Sequence, residues 1–175
     1  MSTTTVLSDY QAFNGRHAET GSVHNVLAYQ GVRAPHSGQP PSEALLLGLS
    51  GGVTFGYFTF TYSGHLPHLA LLTRNTFNPL QTLLNRLGIA QDLRQTGSPD
   101  KAEQNLESML AIGQPVIVWA DRFSLPYNHL PTAYSWAMEP IVVYGLELER
   151  CVTLLTAPGY PFVFRGRYCV WRGAV

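Results

Sequence analysis

Gly15-Arg16-His17-Ala18-Glu19-Thr20-Gly21-Ser22-Val23-His24-Asn25-Val26-Leu27-Ala28-Tyr29-Gln30-Gly31 is the stretch on which the fold turns. It reads as a loop running into a short buried helix that stops at a glycine. Val23, Val26, Leu27 and Tyr29 fall at helical spacing between Glu19 and Gln30. Gly31 supplies the stop, because glycine enters the left-handed conformation that ends a helix without steric cost. The amides and dipole at the head of such a helix favour negative charge, so a thiol there ionises readily and becomes a nucleophile. The head of this helix holds Ala18, which has no group to ionise.

Outward from this helix, Val6 to Asn14 reads as extended or irregular. Residues 32–41, rich in Pro, Gly and Ser, form a loop. Ser42-Glu43 then opens a second helix through Ala44, Leu45, Leu46, Leu47 and Leu49, with a polar cap and an acidic first turn. So apolar a helix is expected to be buried nearly all round. Gly51-Gly52 breaks the chain. Val53 to Tyr62 alternates Phe58, Phe60 and Tyr62 with Thr59 and Thr61, the period of a strand. Ser63-Gly64 is a turn, and Leu69 to Thr73 a short strand.

Asn78-Pro79 is a helix start, with Leu80, Leu83, Leu84 and Leu87 on one face and Gly88 at the end. Ile89 to Gln95 is a weakly patterned strand. Ser98-Pro99 repeats the cap-and-proline device, and the helix behind it turns Ala102, Leu106, Met109 and Leu110 inward before Gly113. Pro115 to Ala120 fits a buried strand. A long loop follows, with three prolines in 126–140. Ile141 to Tyr144 and Cys151 to Thr156 are strands joined by an acidic turn near Glu147 and Glu149. The stretch from Tyr160 to Val175 is aromatic and basic without periodicity. This order of elements points to an α+β fold with one main sheet.

Composition narrows the function. A chain of 175 residues, 45% hydrophobic and only 13% charged, is expected to form one domain with a real core. Formal net charge is zero and no basic stripe occurs, which argues against nucleic acid or an anionic membrane as partner. No apolar run approaches the roughly 18 residues that cross a bilayer. Met1 to Thr5 lacks the basic and apolar regions of a signal peptide, so a cytoplasmic protein is expected. Cys151 and Cys169 are read as free, partly buried thiols.

Several residues could carry chemistry. The glycine-rich Leu49–Gly56 stretch precedes a strand and lacks a lysine, so tight turns explain it better than a phosphate loop. His65 and His68 have no third ligand in sequence reach, which argues against a metal site. Arg74, Asn75 and Thr76 follow a short strand, where loops present polar groups to a cleft. Asp121 ends the 116–120 strand, and a carboxylate there is either functional or a buried hydrogen-bonding group. Tyr127 and Asn128 lie in the long loop after it. His17, Glu19 and Glu139 complete the polar set around the proposed site.

These residues resemble a known family. The run from Gly15 to Thr20, Asn25-Val26-Leu27, Gly31, Ser42 to Gly52 and Phe55-Gly56-Tyr57 looks like the N-terminal domain of butirosin biosynthesis protein H. Thr73 to Phe77, Arg94-Gln95-Thr96, Lys101-Ala102, Pro115 to Trp119 and Ile141 to Gly145 follow in the same order. The likeness covers about residues 10–147, and the tail 148–175 diverges. That family is similar in fold to papain-like and C39-type cysteine peptidases. The resemblance therefore implies a papain-like α+β fold, with N-terminal helices packed on one mainly antiparallel sheet. It implies acyl chemistry through a cysteine thioester: transfer from an acyl carrier protein to an amine, or cleavage of an amide in a peptide-like substrate. No cofactor is implied.

Three departures bear on that chemistry. The family's His-Cys pair reads His17-Ala18. The histidine that precedes the Val-Val-Tyr-Gly strand in C39-type relatives is replaced by the neighbourhood Trp136-Ala137-Met138-Glu139-Pro140. The acidic residue of the next strand gives way to Thr156-Ala157-Pro158. The resemblance thus implies a catalytic site at Ala18, His17, Glu19, Asp121 and Glu139 that has lost its nucleophile, with Arg74, Asn75, Tyr127 and Asn128 toward substrate. The alternatives are a non-enzymatic binding module that keeps the cleft, and an enzyme of altered chemistry using His17, Glu19 or Asp121 as acid or base.

Overall fold

The computed structural model of the chain describes residues 5–52, 56–72, 78–123, 125, 138–147, 150–154 and 162–164. Its helices are α1 (Ala18–Tyr29), α2 (Glu43–Leu49), α3 (Pro79–Leu87) and α4 (Pro99–Ala111). Its strands are β1 (Thr5–Val6), β2 (Gly56–Phe60), β3 (His68–Leu72), β4 (Val116–Asp121), β5 (Met138–Glu147), β6 (Arg150–Leu154) and β7 (Phe162–Phe164). This is an α+β chain. None of the described helices is long and apolar enough to cross a membrane.

The four helices end alike. Gly31, Gly51, Gly88 and Gly113 each take a positive φ just past a helix, and the following amides turn back onto its last carbonyls. At α1, Gly31 N–H reaches the Ala28 carbonyl and Val32 N–H that of Leu27. A side chain there would be strained, and glycine is not. The starts differ more. Ser98 accepts a hydrogen bond from Lys101 N–H and so caps α4. Asn78 stands at the head of α3 before Pro79, yet its side chain makes no cap bond, and its backbone carbonyl accepts from Thr82 N–H and Oγ1 instead.

The chain divides into two compact units, residues 1–43 with 93–175, and residues 44–92. In the first, β5 is the central strand and all pairings are antiparallel. β4 pairs with residues 138–143 of β5 and β1 with 145–146, so these two share one edge end to end. β6 lies on the other edge, with β7 beyond it. The β5–β6 register shifts between Val143 and Gly145, a bulge. Beside it β1 comes so close that a Cβ on Gly145 would lie 3.0 Å from Val6 Cγ2, which explains the glycine. Leu7, Leu110 and Val143 form a buried cluster that collects Tyr10, Tyr29, Leu106, Val118, Tyr144 and Leu146. Tyr10 stacks on Tyr144 with ring centroids 4.6 Å apart. Burial pushes the pKa of both hydroxyls above that of free tyrosine, most strongly at Tyr10, where Tyr144 adds to the effect.

The second unit holds the β2–β3 hairpin, α3 and all but the first residue of α2. Leu46, Leu83 and Leu84 are buried, and Arg86 Nη1 donates to the Leu49 carbonyl at 2.7 Å.

Five expectations need correction. α2 is not buried all round, for Leu46 is its only buried residue. Ile89 to Gln95 forms no strand, and Leu93 in its middle is largely exposed. β4 is half-buried along its whole length rather than buried. β5 starts at Met138, three residues before Ile141, so Glu139 sits in a strand and not in a loop. The aromatic tail contains β7, a three-residue strand too short to show a period.

Candidate functional site

The loop before α1 is held down at both of its ends by side chains, one buried within α1 and one half-buried at residue 43. Asn25, almost wholly buried, accepts from Phe13 N–H at 2.7 Å and donates to the Phe13 carbonyl at 3.1 Å and the Gly21 carbonyl at 2.8 Å. At the other end stands Glu43, the first residue of α2. Its Oε2 accepts from Arg16 N–H at 3.0 Å and its Oε1 from His17 N–H at 3.2 Å, with Thr20 Oγ1 3.4 Å from the same oxygen. Gly15 is buried between them. A Cβ there would fall 2.7 Å from Glu43 Oε1 and 2.9 Å from the Gly21 Cα. Gly15→Ala is therefore expected to destabilise the first unit by about 2 kcal/mol, as overpacking does. A urea titration followed by tryptophan fluorescence checks it, because Trp119 lies on β4 of that unit.

His17 caps α1. Its Nδ1 accepts from Thr20 N–H at 3.4 Å and lies 3.0 Å from Thr20 Oγ1. A ring accepting at Nδ1 is the Nε2–H tautomer, the neutral form suited to a cap. Thr20 is buried and satisfied by this arrangement, as are Ser22 and Asn25 deeper in the helix. The buried polar residues explain why α1 lacks a clean apolar stripe: it packs through hydrogen bonds as much as through Val23 and Leu27.

Ala18 is the first residue of α1 and is half-buried. Its place relative to the sheet follows from two anchors. Ser22 Oγ donates to the Pro140 carbonyl at 3.2 Å. At the far end, Tyr29 packs against the Leu7, Leu110 and Val143 cluster and meets the Tyr10 ring, and Gln30 Nε2 bonds Gln114 Oε1, just before β4 begins opposite Val143. Helix and strand thus run the same way. Ala18 shares a face with Ser22 one turn back, about 6 Å along the axis, or about two strand residues. By that spacing residue 18 falls near the start of β5, where Met138 pairs with Asp121 and Glu139 with Ala120, so the Asp121 and Glu139 side chains leave opposite faces of the sheet. Glu139 and Asp121 are half-buried, and Asp121 Oδ1 accepts from Phe123 N–H at 3.2 Å, closing the turn after β4. Glu19 follows Ala18 in the first turn, where a carboxylate suits the helix dipole.

Arg74, Asn75, Tyr127 and Asn128 lie outside the described residues, as do Trp136, Ala137 and residues 156–158. His65 falls in the turn before β3 and His68 begins that strand. Among the described residues no three His, Cys, Asp or Glu side chains gather as metal ligands would. Sequence reasoning missed Glu43 and Asn25. Glu43 reads as an ordinary first-turn acid, because its partners lie 26 and 27 residues earlier. Asn25 was legible only as a polar residue in an apolar helix.

With the helix head, its cap and the sheet end in view, one comparison is decisive. The pattern of the family described as butirosin biosynthesis protein H, N-terminal, matches residues 17–156. The chain belongs to that family. The match begins at the cap residue His17 and takes in all four helices and β2 to β6, running past residue 147 where the likeness read from the sequence fades. No curated protein and no solved structure matches the chain. Membership in the butirosin biosynthesis protein H family makes this a biosynthesis-type protein related to that N-terminal domain.

Proposed function

We propose that the chain is a papain-like acyl-transfer domain of this family whose site has lost its nucleophile, and that it keeps a cleft at Ala18 for an acyl or peptide-like group presented by an acyl carrier protein. The observation that carries the reading is the setting of Ala18. It is half-buried at the head of α1, the helix that Ser22 ties to β5 through the Pro140 carbonyl. A sulfur in that position has the dipole and amides of α1 to stabilise its thiolate. Attack on a carrier thioester would form a new carbon–sulfur bond, break the old one, and release the carrier thiol, which takes up a proton. An amine would then take the acyl group from the protein. Alanine supports none of these bonds, and binding alone remains.

The test is intact-mass spectrometry of the chain and of Ala18→Cys after incubation with an acyl carrier protein thioester. Ala18→Cys is expected to gain one acyl mass, mapped to position 18, while the unmodified chain gains none there. If Ala18→Cys gains nothing and the unmodified chain binds the carrier, the non-enzymatic binding module is the correct reading. The engagement of the His17 ring with Thr20 is the observation that favours this second possibility.

A further inference from the structure

We infer that Glu43 is the positioning residue of this site: its carboxylate braces the Gly15-Arg16-His17 loop so that residue 18 enters α1 in a fixed place, and its charge sets the electrostatics of that place. The brace is a single carboxylate with two roles. Oε2 and Oε1 each take one consecutive backbone amide, of Arg16 and His17, and Oε1 also faces the Thr20 hydroxyl that contacts the His17 ring. Hydrogen bonds to a charged acceptor are stronger than neutral ones, and two on adjacent amides fix the direction of the peptide between them. That peptide leads straight into His17 and Ala18. Gly15 is shaped to the same contact, since any side chain there would run into the carboxylate.

A chain that needed only a cap for α1 already has one in His17. Glu43 does something else. It lies 26 residues beyond His17 in the chain and holds the residues ahead of the cap. It also leaves a negative charge beside residue 18. The other charged or titratable groups next to that position in the chain are Arg16 and His17 before it and Glu19 after it; at the start of β5, Asp121 pairs with Met138 and Glu139 with Ala120, so their side chains leave opposite faces of the sheet and only one of the two can be turned to α1. Against a positive helix end, a near carboxylate opposes a second anion, so a thiol at position 18 should ionise less readily with Glu43 present than without it. The use of the site rests on the acyl-transfer reading; the brace itself does not.

The test has two measurements on the full chain. The first is amide hydrogen exchange of the unmodified chain and of Glu43→Gln, which keeps size and one acceptor oxygen. Exchange at Arg16 and His17 should speed by about tenfold or more, with α4 and β5 amides unchanged. The second is the pH profile of iodoacetamide alkylation at position 18 in Ala18→Cys, with and without Glu43→Gln, read by peptide mass spectrometry. The midpoint should fall by about one pH unit when the carboxylate is gone. Unchanged exchange at residues 16 and 17 overturns the brace. Faster exchange with an unmoved midpoint overturns the role at the site and leaves a structural contact only. Should Glu43→Gln lose protection throughout, Glu43→Asp replaces it: the charge is kept and the reach shortened, so exchange should speed without the downward shift, and equal exchange again overturns the proposal. Alkylation needs no acyl substrate, so Ala18→Cys failing to acylate while these results hold would defeat the acyl reading and leave the brace standing.

Discussion

Asn25→Ala is expected to lower the stability of the first unit by about 2–4 kcal/mol, the largest loss from any single side chain in the α1 region. Asn25 spends its carbonyl on Phe13 N–H and its amide on the carbonyls of Phe13 and Gly21. Alanine leaves the Phe13 groups facing a site where the asparagine is only 2% exposed. Water reaches that place poorly, so the desolvated amide and carbonyl go unmatched. The measurement is a urea titration followed by tryptophan fluorescence. Asn25→Asp should cost at least as much, because it keeps the acceptor for Phe13 N–H but turns a buried carboxylate oxygen toward the Phe13 and Gly21 carbonyls. A loss below about 1 kcal/mol for Asn25→Ala would mean that the loop finds other partners at little cost.

Much of the fold was legible because local signals and tertiary packing agree. α3 and α4 carry proline at the first turn, leucines on one face and a glycine stop, and the structure keeps these bounds. Burial of α2 and β4 depends on partners that a single segment does not reveal. α2 has five apolar residues in seven, and no sequence pattern says how many of them a partner will cover. Proline at 140 looked like the end of a loop. In the structure it pairs with Trp119, and among the described residues β6 first meets β5 at Val142. Position 140 therefore has a ladder on one side only, where a missing N–H is tolerated. β7 was hidden by its brevity.

The candidate site was half legible. The helix, its glycine stop and the odd alanine are local features. The groups that hold the helix head in place are not. Glu43, Asn25 and the Ser22 contact with Pro140 join residues 12 to 118 positions apart, and no spacing rule reaches that far. Nor could the sequence show that Asp121 and Glu139 share one ladder end, since this depends on the β4–β5 register.

The second large effect concerns reactivity. A histidine placed opposite a thiol at the helix head should take its proton and leave a thiolate–imidazolium pair. In Ala18→Cys the helix end favours the thiolate, while the carboxylate at 43 and, if residue 139 faces α1, that of Glu139 oppose it. Adding Glu139→His removes one of these charges and supplies a base at the start of β5, near which residue 18 falls. Ala18→Cys/Glu139→Gln separates the two changes, because it removes the charge without adding the base.

The decisive measurement is the rate of iodoacetamide alkylation at position 18, taken at pH 6 in Ala18→Cys/Glu139→His and in Ala18→Cys/Glu139→Gln. If the head of α1 and the start of β5 form one site, the histidine variant reacts faster by about tenfold or more. Equal rates would mean that residues 18 and 139 do not face one another, and the site described here would not exist.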